Sequence, residues 1–395
     1  MATNTLLTPD MITKEALRIL HEKLSFIGNV NRQYDSSFAK SGAKIGSALR
    51  VRKPVRYSVT DGATFSAQNT VEESVTLTVD TQKHVGMSFS SEELTMDLDD
   101  FSKRVIEPAM AALANAIEVD VLETASGNSA VAGSGGSGVA TFKDFLTAQA
   151  YLDNLTTPRD NSRCVLVDTL MQVELVDELK GLFQDSSEIA KQYREGIIGK
   201  TAGATWFQSS RIPLTESLAS STSFNITSYG TNTLSISGAT ASEVINKGTQ
   251  FALDGVFAVH PESKKTLSQS YYVTAQDDLT LDGSGLGTLN IAASVVSASS
   301  DPAQNISGEA TSMTVMSQSK AKSLVFHKDA FTFATADLRV PKGTDMAARE
   351  TYDGISLRLI SDYSITDDTF GTRADVLYGF KTLRPEYAAV VFKSA

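Results

Sequence analysis

The sequence predicts an α+β chain: a split α/β domain interrupted by a small β-barrel domain, and preceded by a helical arm, a long β-hairpin and a long helix. Three observations predict it. The apolar period shifts from helical to alternating, back to helical, and then to alternating again along the 395 residues. Half of residues 221–240 are Ser or Thr, and they open a run of short alternating segments. The N-terminal segments carry too little apolar sequence to bury a core of their own.

The elements follow in order. Ile12, Ala16, Ile19, Leu20, Leu24 and Ile27 recur at helical spacing between the cap residue Asp10 and the stop Gly28, predicting a helix over 10–27. Leu49 to Val59 alternates apolar and basic residues, with Pro54 marking an edge strand. Asp61-Gly62 is a turn signal, Thr70 to Val79 reads as the return strand, and His84 to Phe89 as a third extended piece of the same hairpin. Ser90-Ser91-Glu92-Glu93 is a helix start of the capping type. Residues 98–124 then put Ile106, Met110, Leu113, Ile117 and Val121 on one stripe, and Pro108 predicts a kink there or a helix restarting with proline in its first turn.

Ser126 to Gly138 reads as a Gly/Ser linker. Its Gly133, Gly135 and Gly138 spell a dinucleotide-binding spacing, but a helix rather than a strand precedes them, so the phosphate-binding context is missing. Beyond it come a helix at 141–155, a strand at 163–167, a helix at 170–183 with Val173, Val176, Leu179 and Leu182 on one face, a short helix near 187–195 and a strand at 205–208. The alternating runs 224–227, 234–236, 255–259, 271–274 and 288–291, separated by turn signals, have the pattern of a small barrel or sandwich. Leu324-Val325-Phe326, Ile355 to Ile360 and Arg373 to Tyr378 read as strands of a closing sheet. The simplest organisation is a β-domain at about 217–321 inserted into an α/β domain with halves 139–216 and 322–395.

Composition narrows the function. Hydrophobic residues make up 41% and charged residues 21%, as in a globular chain of two or three domains. Lys and Arg number 35 against 46 Asp and Glu, a net charge of −11, which disfavours a free nucleic-acid-binding factor. Cys164 is the one cysteine, so neither an intrachain disulfide nor a cysteine metal cage is expected. The N-terminus lacks the basic and apolar regions of a secretory signal, and no apolar run is long enough to span a bilayer, so a soluble protein made in a reducing compartment is expected. The N-x-S/T triplets at Asn154, Asn225 and Asn305 are then chance matches.

Catalytic signatures are missing. His21, His84, His260 and His327 are far apart, and neither a nucleophile elbow nor a P-loop occurs. Cys164 in an apolar strand reads as a core residue, and His327 at a strand end as a hydrogen-bonded structural histidine. The pairs Asp99-Asp100, Asp277-Asp278 and Asp367-Asp368 lack the EF-hand ladder and read as turn or cap residues. No catalytic, cofactor or metal residues are assigned.

Charge is segregated instead. Lys40, Lys44, Arg50, Arg52, Lys53 and Arg56 occur on the hairpin arm with no acid among them, and Glu92, Glu93, Asp97, Asp99 and Asp100 follow with no base. These are either two solvated faces, or a basic arm that lies across the acidic helix start of a neighbouring subunit, or an arm that touches nucleic acid by itself. A projecting hairpin without its own core suits packing between subunits, which repeated head to tail generates rings or shells.

The order of elements resembles the P22-type coat proteins of tailed bacteriophages, the HK97 fold with an inserted domain. The resemblance is carried by Thr8 to Ala16, Gly46 to Pro54, Leu324 to Phe331, Val340-Pro341-Lys342-Gly343, Arg373 to Gly379 and Lys381 to Glu386, and is weakest over 217–321. It implies an N-terminal arm at 1–43, an E-loop at 44–89, a peripheral domain with the spine helix at 90–138, axial halves at 139–216 and 322–395 (the second shared with the peripheral domain), and an inserted β-domain at 217–321. It further implies hexameric and pentameric capsomers of the same chain and a virion shell built around a scaffolding protein with a portal at one vertex. That shell would enclose double-stranded DNA without sequence-specific binding, away from any membrane, after synthesis in the bacterial cytoplasm. The rival readings are a Ser/Thr-rich fibre or adhesin, which the helical first third fits poorly, and an enzyme with a site assembled from distant residues.

Overall fold

The computed structural model describes residues 9–32, 48–52, 57, 62–63, 67, 74–90, 105–127, 141–179, 199–213, 221–230, 232–291, 295–299, 301, 303–316, 321–364 and 369–393. Its helices are α1 (Pro9–Lys23), α2 (Glu107–Gly127), α3 (Phe142–Asn154) and α4 (Thr169–Leu179). Its first strands are β1 (Ala48–Arg52), β2 (Ser74–Thr78), β3 (Thr81–Ser90), β4 (Arg163–Asp168), β5 (Lys200–Thr201) and β6 (Ala204–Ser209). Then come β7 (Ser223–Tyr229), β8 (Thr233–Ser237), β9 (Val244–Ile245), β10 (Gln250–Val259), β11 (Thr266–Thr274), β12 (Leu279–Thr280), β13 (Gly287–Asn290) and β14 (Ser312–Val315). The last are β15 (Ala321–His327), β16 (Phe331–Ala336), β17 (Met346–Tyr352), β18 (Ile355–Ser364), β19 (Thr369–Thr382) and β20 (Ala388–Lys393). The chain divides into two compact units, one of Met1–Val51, Val75–Val121 and Phe331–Lys381, the other of Arg52–Ser74, Leu122–Ala330 and Thr382–Ala395.

In the first unit α1 buries Ala16, Leu17, Ile19 and Leu20. It ends at Lys23 rather than Ile27, because the Leu24 amide bonds back to the His21 carbonyl and the chain tightens into a 3-10 turn at Ile27–Asn29. Leu24 and Ile27 stay buried, so the apolar spacing was real although the helix stops short. α2 and Ile106 just before it bury the whole expected stripe, Ile106, Met110, Leu113, Ile117 and Val121. It starts at Glu107 with Pro108 in its first turn, where a missing N–H costs no helical bond.

A five-stranded sheet has the order β16-β19-β18-β17 with β3 also pairing β19, and its β17–β18, β18–β19 and β19–β3 ladders are antiparallel. β3 is therefore not a third piece of the hairpin. It pairs β19 in unbroken register, from Thr81 opposite Tyr378 to Ser90 opposite Thr369. Sequence proximity favoured the hairpin, but only a distant strand supplies a matching length of ladder. Leu77 and Val79 pack with Ala334, Ala336, Leu338 and Leu377. Here a Cβ on Gly379 would meet the Thr78 carbonyl oxygen at 2.1 Å, so only glycine allows the approach.

In the second unit a five-stranded sheet has the order β20-β15-β4-β6-β5. β4 is buried along its whole length and parallel to β6, the crossover between them being α4. α3 begins with a capping box, the Thr141 amide donating to Asp144 Oδ2 at 2.9 Å and the Asp144 amide to Thr141 Oγ1 at 3.4 Å. The core of this layer joins Phe145, Leu152, Val165, Val167, Met171, Leu175, Trp206, Val325 and Val391. Met171 and Leu175 therefore form the inner face of α4, and Val173, expected there, is 67% exposed. Met171 with Leu175 and Val173 with Val176 both recur at helical spacing, so two stripes fit the period and packing on the sheet selects the first. Of the strands expected to close this sheet, 324–326 lies in it, whereas 355–360 and 373–378 lie in β18 and β19 of the other unit.

The segment 223–315 forms a six-stranded sheet of order β11-β10-β14-β7-β8-β13 with a two-stranded β12-β9 beside it. Phe224, Leu234, Ile236, Phe251, Leu253, Val273, Leu289, Ile306 and Met313 fill its core. The expected closed barrel is not formed among the described residues. The end strands meet only just beyond their tips, through a bridge between Ala275 and Ile291 and a bond from the Gln276 amide to the Asn290 carbonyl at 2.9 Å. β13 spans only Gly287–Asn290, too short for a full ladder against β11.

Candidate subunit interface

Of the basic arm, Arg50 lies exposed on β1 and Arg52 ends the same strand. Val51 beside them is buried, so β1 keeps the alternation read from sequence. β1 pairs β2 in a two-stranded ribbon, which is marginal without a further strand. Lys44, Lys53 and Arg56 lie outside the described residues, as do Glu92, Glu93, Asp97, Asp99 and Asp100. The Gly/Ser segment 128–138 and the helix read near 187–195 are outside them too.

Charges that the sequence left unassigned are tied within each unit. In the first, the Asp375 carboxylate is fully buried on β19 and accepts from Arg358 Nη2 at 2.8 Å, Arg373 Nε at 2.7 Å and Gln82 Nε2 at 3.0 Å. Burial alone would raise its pKa, but these donors, Arg358 first, hold it below the ordinary carboxylate range. On α2 the buried Glu118 carboxylate accepts the Phe26 amide at 2.7 Å, supplying an acceptor to the turn after α1. Tyr378 donates its hydroxyl to Asp120, and Lys83 Nζ of β3 donates to the Ala116 carbonyl at 2.8 Å. Asp353, at φ 48° in the β17–β18 turn, receives Arg32 Nη1 at 2.8 Å and His21 Nε2 at 2.9 Å.

In the second unit, His327 is buried and its Nε2 lies 3.0 Å from Asp160 Oδ1, while Nδ1 accepts the Asp329 amide at 3.2 Å. That is the structural histidine expected from the sequence, and its hydrogen bond lowers Asp160 to about 2. Cys164 is buried, and burial pushes its thiol up to about 11, as for an inert core residue. Glu243 accepts from the Ser221 amide and hydroxyl, each at 2.6 Å, and from the Thr240 amide at 3.1 Å, fastening the entry of the β-rich segment. The same segment meets the end of α2, where Gln276 Nε2 donates to the Gly127 carbonyl at 3.2 Å and Lys247 Nζ lies 3.8 Å from Glu123. Lys322 on β15 is only 2% exposed, with its ammonium 6.0 Å from the centre of the Phe392 ring. Burial lowers its pKa to about 8, against a smaller opposing pull from Glu123.

Chemically these groups are structural ties. Among the described residues no set of three or more His, Cys, Asp and Glu side chains is placed to hold a metal ion, and no described helix is long and apolar enough to cross a membrane. A signal for Asp375 and Lys322 was present in the sequence, since each is a charge at an inward position of an apolar strand.

Comparison with known proteins bears on what such a fold does. Residues 219–393 match the family model of the P22 coat protein, gene protein 5. Over 94% of this chain and 92% of the other, the fold is similar to a solved structure from Mycobacterium phage Che8, with a TM-score of 0.51 at 15% identity. The capsid of the Cyanophage P-SCSP1u is more distant, with a TM-score of 0.45 and 12% identity over 89% of this chain and 84% of that one. The capsid of the Myoviridae phage XM1 gives 0.40 and 9%, over 93% and 91%. No curated protein sequence matches. Residues 219–393 are thus similar to the P22 coat protein family, and the mixed helices and sheets of the chain have a fold similar to that of the Mycobacterium phage Che8 structure.

Proposed function

We propose that this chain is the major capsid protein of a tailed bacteriophage, self-assembling into the icosahedral head shell that encloses double-stranded DNA. The family match over residues 219–393 carries this reading. The placed geometry agrees with it, since the charged groups at hand join elements within the subunit rather than converge on a reaction centre.

Several finer assignments belong to the proposal. The copies form hexameric and pentameric capsomers around a scaffolding protein, with a portal at one vertex, after synthesis in the host bacterial cytoplasm. The six-stranded sheet with its Ala275–Ile291 contact is an inserted barrel-like domain at about 217–321, between axial halves 139–216 and 322–395. The N-arm spans 1–43, the E-loop 44–89 and the peripheral domain with the spine helix 90–138. A container needs weak attraction for its cargo, and a net charge of −11 supports a shell that encloses DNA without gripping it.

In this reading Lys44, Arg50, Arg52, Lys53 and Arg56 of one subunit face Glu92, Glu93, Asp97, Asp99 and Asp100 of the next, with charge setting register. Reversing Arg50, Arg52 and Lys53 together to glutamate should leave the monomer's melting unchanged and abolish the fast-sedimenting shells that the wild type forms. Reversal of Glu92, Glu93 and Asp97 to lysine in the same chain should restore them. Normal shells from the triple variant would refute the arm's role.

A further inference from the structure

The end strands of the six-stranded sheet meet only beyond their tips, and residues 275–278, which join them, are tied in three directions. Towards β13, Ala275 bridges Ile291, the Gln276 amide donates to the Asn290 carbonyl at 2.9 Å, and Asn290 Nδ2 donates to Asp277 Oδ2 at 3.1 Å. Towards the turn between β9 and β10, the Gly248 amide donates to the Ala275 carbonyl at 2.8 Å and the Lys247 amide to Asp278 Oδ1 at 2.7 Å. The Ala275 amide returns a bond to the Thr249 carbonyl at 2.9 Å. Towards α2, Gln276 Nε2 donates to the Gly127 carbonyl at 3.2 Å. Gln276 therefore closes the sheet with its backbone and reaches the helix with its side chain.

The helix needs what this segment offers. The last carbonyls of a helix lack partners within it, and its C-terminal end favours a cation. α2 has no basic residue in its last turn. Gln276 supplies a donor, and Lys247 Nζ, 3.8 Å from Glu123, supplies the positive charge. Glycine on both sides lets the turn come this close. The Thr249 amide closes the turn on the Asn246 carbonyl at 3.1 Å, and Gly248 in its third place holds a left-handed φ of 82°. A Cβ on Gly127 would lie only 3.9 Å from the Gly248 Cα. The last turn of α2, from Leu122 on, belongs to the same compact unit as the β-rich segment.

We propose that residues 275–278 are a latch coupling closure of the six-stranded sheet to the seating of the last turn of α2, so that neither opens without the other. Opening of the sheet end withdraws the donor from Gly127 and carries the 246–249 turn off the helix. Fraying of the helix end removes the anchor of the Gln276 side chain and loosens the seam. The coupling goes beyond the shell-forming reading, since it is a property of the single chain.

Hydrogen exchange on the unassembled full chain, read by mass spectrometry, tests it with two variants that disturb opposite ends. Gln276→Glu keeps the side chain's size but sets an acceptor against the Gly127 carbonyl. Gly127→Val leaves the β-rich segment unaltered and presses its γ carbons on the Gly248 turn. Each should speed exchange by about fivefold or more, the effect of one lost hydrogen bond, in the last turn of α2 and at the seam amides of Gly248 and Gln276 alike. The β7–β8 ladder, where Asn225 faces Ser237, should exchange as in the wild type.

Faster exchange confined to the mutated end would overturn the coupling, and so would wild-type exchange at both ends. Equal acceleration of β7–β8 would overturn it too, because the segment would then open as a whole and the seam would be no separate latch. Should Gly127→Val fail to fold, Gln276→Glu decides alone, since helix and seam are read in the same experiment. Absence of shells under every condition would remove the shell-forming reading and leave this result as it stands.

Discussion

Replacing Asp375 by alanine should destabilise the unassembled subunit by about 3 kcal/mol in urea unfolding, as expected when one partner of a buried ion pair is removed. The carboxylate is fully buried and receives three side-chain donors, so its loss strands Arg358, itself only 15% exposed at the side chain, without its counter-ion. Arg373 is half-exposed and can turn to water, so most of the cost comes from Arg358. Asp375→Asn keeps the shape but not the charge and should lie between. The pH dependence follows from the lowered pKa of Asp375. Its stabilising contribution is complete above the unfolded carboxylate value and is lost as pH falls through the lower folded value. The wild type should therefore lose stability in acid faster than Asp375→Asn. A loss below about 1 kcal/mol for the alanine variant would mean that the cluster is no more than a surface pair.

Lys322→Met should have the opposite sign, raising stability at neutral pH by about 2 kcal/mol. An ammonium buried against Phe392 with a pKa lowered from 10.5 to about 8 is charged at pH 7 at the expense of folding. That penalty is present in full below the folded value and fades as pH rises from about 8 towards 10.5. Wild-type protein should therefore gain stability across this alkaline window, and the methionine variant should show no such gain. Thermal melts at pH 7 and pH 10 on both proteins decide it. A variant less stable than wild type at pH 7 would show that the ammonium holds Phe392 and Glu123 more tightly than burial opposes it.

Much of the architecture was legible because it rests on local patterns. The stripe of α2, the helix α3, the buried strand β4 and the short strands between Ser223 and Asn290 each declare themselves in period and turn chemistry. What escaped was pairing across sequence distance. β3 lies beside β2 in sequence but in ladder with β19, and neither strand's composition names its partner. β16 was missed because the alternation of Phe331-Thr332-Phe333 slips at Ala334 and every position of the short strand is buried. The inner face of α4 was misassigned where Met171 with Leu175 and Val173 with Val176 gave two competing stripes. The arm's basic residues were evident as a charge run, but Arg50 and Arg52 alone of that set are placed on a strand, and what they meet is a question about a second copy. Asp375 and Lys322 stood out as charges in apolar strands, but the partners they and Glu118 tie to depend on which strand or turn packs opposite.

Electron microscopy of the expressed chain, alone and with a co-expressed scaffolding protein, tests the central claim most directly. Closed shells of uniform diameter with icosahedral symmetry, resolving into five- and six-fold clusters of this fold, are the predicted result. A protein that stays monomeric under every condition, with neither shells nor capsomer rings on the grid, would contradict it.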